Sequence, residues 1–474
     1  MTTKRIPLAL LLGGLAISGD AQYVTGQALT AAELNASLSS LTTAGIINVK
    51  NSTYGANGNG TTDDTRAIQA AAATGLPLYF PPGTYKTSAT IAFTNSVYGH
   101  KADGTLISCT NLTVPVATLV GTNVEVKNIT FTHSSAPMAG SGANGLNILA
   151  GSYQTNISSS VANYDDYGFA IFTGSSALWL SKNNASNNST SGFLLQDPNY
   201  FLDGNISTAN ASHGYEIRTV SFGAGLQMVN NLSYNNGGDG YSAIGTSGAT
   251  LNDVYMANNI SSYDRGNGFY FDTHGINFLL DNNYSEYSGY TTGGSIYSNG
   301  AVAYSFTANN DNVSLSGDEG YHAASNGVFN GGSNVTINGG IYRLNGQGSR
   351  GGYGISGTNA GFTNLTGSDL RGNMKGAQNT IAGYASFYNA LGLNQATFLT
   401  PPPLPGSGSG VLNPFNIPVT VILTGMTFTS IKIRVAGTTS PALSASQGAS
   451  FSLAPGQTIV TSYTGSPTWV WLPN

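Results

Sequence analysis

The chain has 474 residues, of which 8% are charged, against about 25% in a typical globular protein, and its formal net charge is −5. That balance gives no electrostatic case for a nucleic-acid or anionic-membrane partner. The single cysteine, Cys109, excludes internal disulfides and argues against a structural zinc site, while 63 glycines and 26 tyrosines point to strands and turns.

In chain order, residues 1–45 read as an attachment or targeting segment. Lys4 and Arg5 precede an apolar run at 6–17, and Gly19-Asp20-Ala21 offers a small-residue cleavage site, the layout of a secretory signal. The run is too short to span a membrane as a helix. The stretch from Tyr23-Val24-Thr25-Gly26 to Glu33-Leu34-Asn35 resembles a phrase found near the N-termini of phage tail proteins, which implies attachment to a virion. These two readings exclude one another, and both are open at this point.

Residues 48–85 hold the most specific pattern. Val49 is followed by Gly55-Ala56-Asn57-Gly58-Asn59-Gly60, Asp63-Asp64-Thr65, Ala67-Ile68-Gln69-Ala70-Ala71 and Leu78-Tyr79-Phe80-Pro81-Pro82-Gly83-Thr84-Tyr85. This run resembles the entry module of the pectate-lyase-like single-stranded right-handed β-helix proteins. The resemblance implies a glycine-rich loop, a short helix that plugs the end of a solenoid, and a Phe-Pro-x-Gly-x-Tyr strand that opens the first coil. Local chemistry agrees: Thr62 to Asp64 supply N-cap candidates and negative charge for a helix over 65–73. Asp63 and Asp64 suit capping better than acid–base catalysis. The superfamily includes hydrolases, lyases, epimerases and non-catalytic shafts, so the likeness carries fold and not chemistry.

From Gly145 a short pattern returns, a glycine followed by an apolar, a variable and another apolar residue. It stands at Gly168-Phe169-Ala170-Ile171, Gly192-Phe193-Leu194-Leu195, Gly214-Tyr215-Glu216-Ile217, Gly240-Tyr241-Ser242-Ala243 and Gly268-Phe269-Tyr270-Phe271. Weaker copies begin at Gly294 and Gly320. Subtracting successive positions from Gly145 onward gives steps of 23, 24, 22, 26, 28, 26 and 26 residues. A period of this size without an amphipathic helix indicates one coil of a right-handed parallel β-helix per repeat. By the two-residue period of a strand, Phe169, Phe193, Tyr215, Tyr241 and Phe269 stack in the core. Asn-x-Ser triplets recur at Asn156, Asn184, Asn205, Asn231, Asn259, Asn283 and Asn312, and read as turn residues tolerant of left-handed backbone rather than as glycosylation sites.

The solenoid is expected over 46–398, followed by a Pro/Gly/Ser linker at 399–410. Residues 411–474 form a separate unit, with alternating strands at 419–423, 431–435, 451–453, 458–463 and 468–472 that read as a small β-sandwich. Trp469 and Trp471 share one face and fit a carbohydrate surface, a trimer contact or this unit's core. The fold class is therefore all-β: a parallel β-helix with a short N-terminal cap helix and a C-terminal sandwich.

In a chain so poor in charge, outward charges are informative. Counting from each repeat glycine, positions two and four carry Glu216 and Arg218, then Tyr270 and Asp272, with Asp197 one coil earlier and His274 beyond. Glu216 and Asp272, two coils apart on one outer face, are expected to bring their carboxyls within about 7–10 Å, overlapping the ~6.5–9.5 Å of an inverting glycosidase. Asp197, Arg218, Asp239, Tyr270 and His274 are the accompanying substrate-binding candidates, and His213 and Asp239 precede their glycines at a turn beside this face. No metal constellation and no cofactor loop is visible. The layout resembles a bacteriophage tailspike depolymerase, which implies a homotrimer attached to the tail or baseplate through its N-terminus and cleaving a bacterial surface polysaccharide by glycoside hydrolysis. The alternatives are a lyase acting by β-elimination and a non-catalytic β-helical adhesin or shaft, the protein being virion-borne or secreted.

Overall fold

A computed structural model describes residues 45–378 apart from 247–248, 308–309, 350 and 358–361, most of 402–473, and short strand segments at 4–5, 22–23 and 386–388. The signal-or-attachment segment of residues 1–45 falls almost wholly outside the described residues, as does most of 379–400.

Each coil lays down three short strands, as in Phe169–Ile171 of sheet I, Leu178–Ser181 of sheet II and Asn184–Ser186 of sheet III. Successive coils pair in parallel, giving sheets of 12, 14 and 12 strands in a right-handed β-helix. The one α-helix among the described residues, Thr65–Ala72, buries Ile68 and Ala71 in the same core at the N-terminal end. Its two acids divide the work. Asp63 accepts from the Thr65 N–H at 2.9 Å, whereas Asp64, at the N-cap position, instead accepts from the Asn57 and Gly58 amides of the glycine-rich loop.

The inward column holds the expected aromatics. Phe169, Phe193, Tyr215, Tyr241, Phe269 and Tyr304 stack with ring centroids 5.3, 4.8, 4.8, 4.6 and 4.9 Å apart and planes within 15° of parallel. Strand spacing in a sheet, about 4.8 Å, imposes that separation. The last two repeat copies are not rungs of this sheet. Gly294 lies in a loop that carries the chain from sheet III back to sheet I, and Gly320 lies in the sheet III strand Glu319–Tyr321. The true next rungs begin at Tyr304 and Val328, after that loop has lengthened the coil.

The asparagines also need correcting. The left-handed residue at the bend from sheet II to sheet III, at Lys182, Gly204, Asn230, Asn258, Asn282 and Gly317, stands just before the triplet asparagine at four of these bends and is not the triplet asparagine at any of them. The following residue turns inward. Asn183, Asn205, Asn231, Asn259 and Asn283 form a buried ladder in which each backbone N–H and side-chain amide donates to the Oδ1 of the next coil at 2.8–3.0 Å. Asp318 accepts the last pair. A second ladder, Asn188, Asn210, Asn236 and Asp264, runs beyond sheet III. Asn156 and Asn184 begin strands instead, and exposed Asn312 has a left-handed φ of 55°. Burial leaves no room for a glycan on the ladder residues.

The C-terminal unit has antiparallel sheets of four and three strands around Val419, Val421, Leu423, Ile431, Leu453 and Ile459. Trp471 (1% exposed) and Trp469 belong to this core, and the Trp469 indole N–H donates to the Pro402 carbonyl at 3.0 Å. The carbohydrate-surface and trimer-contact readings of the two tryptophans are thereby set aside.

Two outcomes are expected. Asn231→Ala leaves the Asn205 N–H without its acceptor, takes one of two bonds from the Asn205 side-chain amide and removes the amide donor from the Leu202 carbonyl, and should cost about 2–4 kcal/mol in chemical unfolding. Asp264 is raised from its ordinary 3.8 to about 6 by burial, against the pull of the Asn236 and Ser261 hydrogen bonds. A raised carboxyl pKa stabilises the fold fully below about pH 4 and loses that contribution as pH rises through about 6. Asp264→Asn reproduces the lower rungs, where Asn210 and Asn236 donate to Ser207 and Ser233 at 2.9 Å. It should raise the melting temperature at pH 7 and flatten its decline between about pH 4 and 6; an unchanged profile would contradict the assignment.

Candidate functional site

Register assembles the outer face of sheet I. Leu194, Glu216, Ser242 and Tyr270 form one column, and Gln196, Arg218, Ile244 and Asp272 form the next, two residues along. Strand alternation points these side chains away from the core, yet Leu194, Glu216 and Ser242 are buried by their surroundings.

Glu216, 3% exposed, is the central group. A buried carboxylate needs a cation and hydrogen bonds to be tolerated. Arg218 supplies the charge, with Nε at 2.6 Å from Oε1 and Nη2 in contact with the same oxygen, and the Ser191 hydroxyl donates to Oε2 at 2.7 Å. Arg218 also donates to the Tyr167 hydroxyl at 3.1 Å. Burial and the nearby Glu216 charge push the Tyr167 phenol up to about 12, against the opposing pull of Arg218.

Beside this cluster, Asp239 accepts from the Asn267 backbone and side-chain amides at 2.7 and 3.0 Å. Its own N–H donates to His213 Nδ1 at 3.0 Å. A ring nitrogen whose lone pair accepts that proton cannot also donate to the Asp239 carboxylate 3.4 Å away, so His213 carries its hydrogen on Nε2. Further along, Asp272 accepts from Thr307 at 2.8 Å and from the Tyr270 hydroxyl at 3.3 Å. Burial and the Asp272 charge raise Tyr270 to about 12.

The structure thus brings Glu216 and Arg218 together, pairs Tyr270 with Asp272, and sets Asp239 against His213. Asp272 stands two rungs and two residues from Glu216, a Cα separation of about 12 Å from strand geometry. Asp197 does not face the groove. At the strand end, with a left-handed φ of 44°, it accepts from the Val220 and Ser221 amides at 2.7 and 3.1 Å and from the Ser221 hydroxyl at 3.0 Å. Burial works against its charge, but these bonds hold the carboxyl below its usual range. His274 is exposed past the end of its strand.

Sequence reasoning missed Tyr167 and Ser191, although a signal existed. The residue before each repeat glycine is polar in five consecutive coils: Tyr167, Ser191, His213, Asp239 and Asn267. It also missed a buried pair below the groove, His133 and Asp165, joined at 2.6 Å with His133 Nε2 3.1 Å from the Val114 carbonyl. Burial works against the imidazolium, but the Asp165 hydrogen bond and the Cys109 and Val114 contacts outweigh it and raise the His133 pKa, while burial raises Asp165 as well.

Comparison with known proteins places this geometry on a familiar scaffold. Residues 46–100 match the family model described as rhamnogalacturonase A/epimerase, pectate lyase-like. Curated protein sequences give no significant match. Among solved structures, the N-terminal fragment of bacteriophage Phi29 gene product 12 is 16% identical, covers 76% of this chain and 68% of its own, and superposes with a TM-score of 0.58. The A-module of mannuronan C-5 epimerase AlgE4 from Azotobacter vinelandii is 17% identical over 72% of this chain and 99% of that one, with a TM-score of 0.51. The catalytic unit of a GH87 alpha-1,3-glucanase from Streptomyces thermodiastaticus is 13% identical over 73% and 68%, with a TM-score of 0.50. At such identities the likeness is one of fold: the chain is a right-handed parallel β-helix, and its residues 46–100 are pectate-lyase-like.

Proposed function

We propose that this chain is a tailspike-type phage protein that binds and cleaves a bacterial surface polysaccharide along the outer face of sheet I. The observation that carries the reading is a connected cluster on the outer face of sheet I, in which Arg218 links buried Glu216 to Tyr167, Ser191 joins Glu216 to the His213 N–H, His213 accepts from the Asp239 N–H, and Tyr270 meets Asp272 two coils on. An extended face with donors and acceptors repeating every coil suits an extended, hydroxyl-rich polymer. The similar folds, a mannuronan epimerase, an alpha-1,3-glucanase and a phage gene product, support the same class.

In the proposed reaction, Glu216 and Asp272 act as the acid–base pair of a glycoside hydrolysis. One protonates the leaving oxygen while the other activates water on the opposite side of the sugar ring. Arg218 and Tyr270 bind the substrate. The N-terminus joins the tail and the assembly is a homotrimer. Elimination is the competing chemistry: Arg218 would neutralise a uronate and Tyr270 or His274 would abstract the adjacent proton, a role that a phenol near 12 fills poorly at neutral pH. One observation favours a groove without turnover, since both Glu216 oxygens are already engaged by Arg218 and Ser191.

The test is incubation with purified capsular and O-antigen polysaccharides, alginate and α-1,3-glucan, followed by product analysis. Hydrolysis should yield saturated reducing ends, and Glu216→Gln and Asp272→Asn should each lower kcat/KM by at least about 100-fold, with circular dichroism showing that both variants remain folded at the assay temperature. Ultraviolet absorbance rising one for one with new reducing ends would replace hydrolysis by elimination. Binding without cleavage would make the protein an adhesin. Light scattering at several concentrations should return a trimer, and a monomer at micromolar concentration would remove that part of the proposal.

A further inference from the structure

The connection from sheet I to sheet II is elaborated in two adjacent coils. Strands Phe222–Ala224 and Thr250–Asn252 pair in parallel, as a small sheet separate from the three that form the solenoid. Its first residue, Phe222, is 58% exposed. An exposed phenylalanine is unremarkable on a loose loop, but this one is held in place. Asp197 spends its carboxylate on the Val220 and Ser221 amides and the Ser221 hydroxyl, all immediately before Phe222. The Ala224 N–H donates to the Pro198 carbonyl at 3.0 Å, and Thr246 donates to the Thr219 carbonyl from the coil above. Gly223 sits so close to Pro198 that a Cβ there would meet the proline ring at 2.8 Å, so only glycine lets the strand settle. Asp197-Pro198 and Gly223 therefore fix the backbone that presents an apolar ring to water, an exposure that does nothing for the stability of the chain alone.

We propose, resting on the groove reading above, that Phe222 is a stacking platform for one sugar unit of the bound polysaccharide and that Asp197 is its positioning residue. A pyranose ring presents an apolar C–H face and a rim of hydroxyls. Both have counterparts at this end of sheet I: exposed Val220 precedes Phe222 by two residues, and exposed Ile244 stands in its column between Arg218 and Asp272. Phe222 follows Arg218 by four residues, at most about 14 Å of extended chain, which lies within one oligosaccharide. The interleaving of charge with a narrow apolar strip argues against a second copy of this chain as the occupant, since an interface core is depleted of charge. The reassignment also accounts for Asp197, whose carboxylate is turned into the loop and not toward the groove.

The probe is the purified capsular or O-antigen polysaccharide that wild-type protein depolymerises. Phe222→Ala should raise KM about tenfold, leave kcat within about twofold, and leave the melting temperature unchanged. Phe222→Trp should restore KM, and its indole fluorescence should shift on titration with the polysaccharide. Asp197→Ala should copy the KM effect of Phe222→Ala. Asp197→Asn, which keeps an acceptor for the two amides, should recover. If wild-type protein cleaves a polysaccharide and Phe222→Ala has an unaltered KM, the platform is wrong and the groove survives. A tryptophan variant that folds but does not recover KM overturns stacking in the same way. If wild-type protein neither binds nor cleaves any member of the panel, the groove reading falls and takes the platform with it.

Discussion

Vertical register is the constraint on which the rest of the structure depends. Each coil must set its side chains directly above those of the coil before it, at the roughly 4.8 Å spacing of paired strands. That spacing suits parallel aromatic rings, and it suits an amide handing a proton to the next amide. In the bends, where backbone turns sharply away from water, every buried donor and acceptor needs a partner. One asparagine serves three coils: Asn231 accepts from Asn205, donates upward to Asn259, and donates back to the Leu202 carbonyl. Where a ladder ends, the last residue needs only to accept, and acids stand there, Asp264 and Asp318.

The same register builds the outer face. A side chain placed outward in one coil acquires neighbours above and below without any loop to position it, so Arg218, Ile244 and Asp272 form a column set by strand pairing alone. Variation enters only at the connections between sheets, which can lengthen without disturbing strand pairing. The longer connection before Tyr304 and the small sheet carrying Phe222 are both of this kind. A scaffold with few charges can then afford a carboxylate as buried as Glu216 by supplying Arg218 from the same strand, two residues along.

The sequence made the fold legible because the inward column repeats in chemistry as well as in spacing. Phe193 and Tyr215 announce their neighbours. It misled where a repeat letter recurred for another reason: Gly320 resembles a rung glycine but opens no rung of sheet I, because a preceding loop shifted the frame. The ladder was half visible. Asn230-Asn231, Asn258-Asn259 and Asn282-Asn283 combine two jobs, left-handed backbone first and the buried amide second, which the Asn-x-Ser pattern merges into one. At the candidate site, phase alone places Glu216 and Arg218 on one outer face. It does not place Tyr167 and Ser191 beside them, since contacts across coils depend on how far a side chain reaches. Asp197 was misread for the same reason: its place in the chain suggests the groove, and only its hydrogen bonds reveal the loop.

The central claim, that a polysaccharide lies along the outer face of sheet I, is tested most directly by hydroxyl-radical footprinting of wild-type protein with and without a polysaccharide that it binds. The account expects protection of Tyr270 and Phe222 on the groove, with no change at exposed Trp179 on the outer face of sheet II. Protection of Trp179 with Tyr270 and Phe222 unchanged would move the binding surface to the other side of the solenoid and contradict the account.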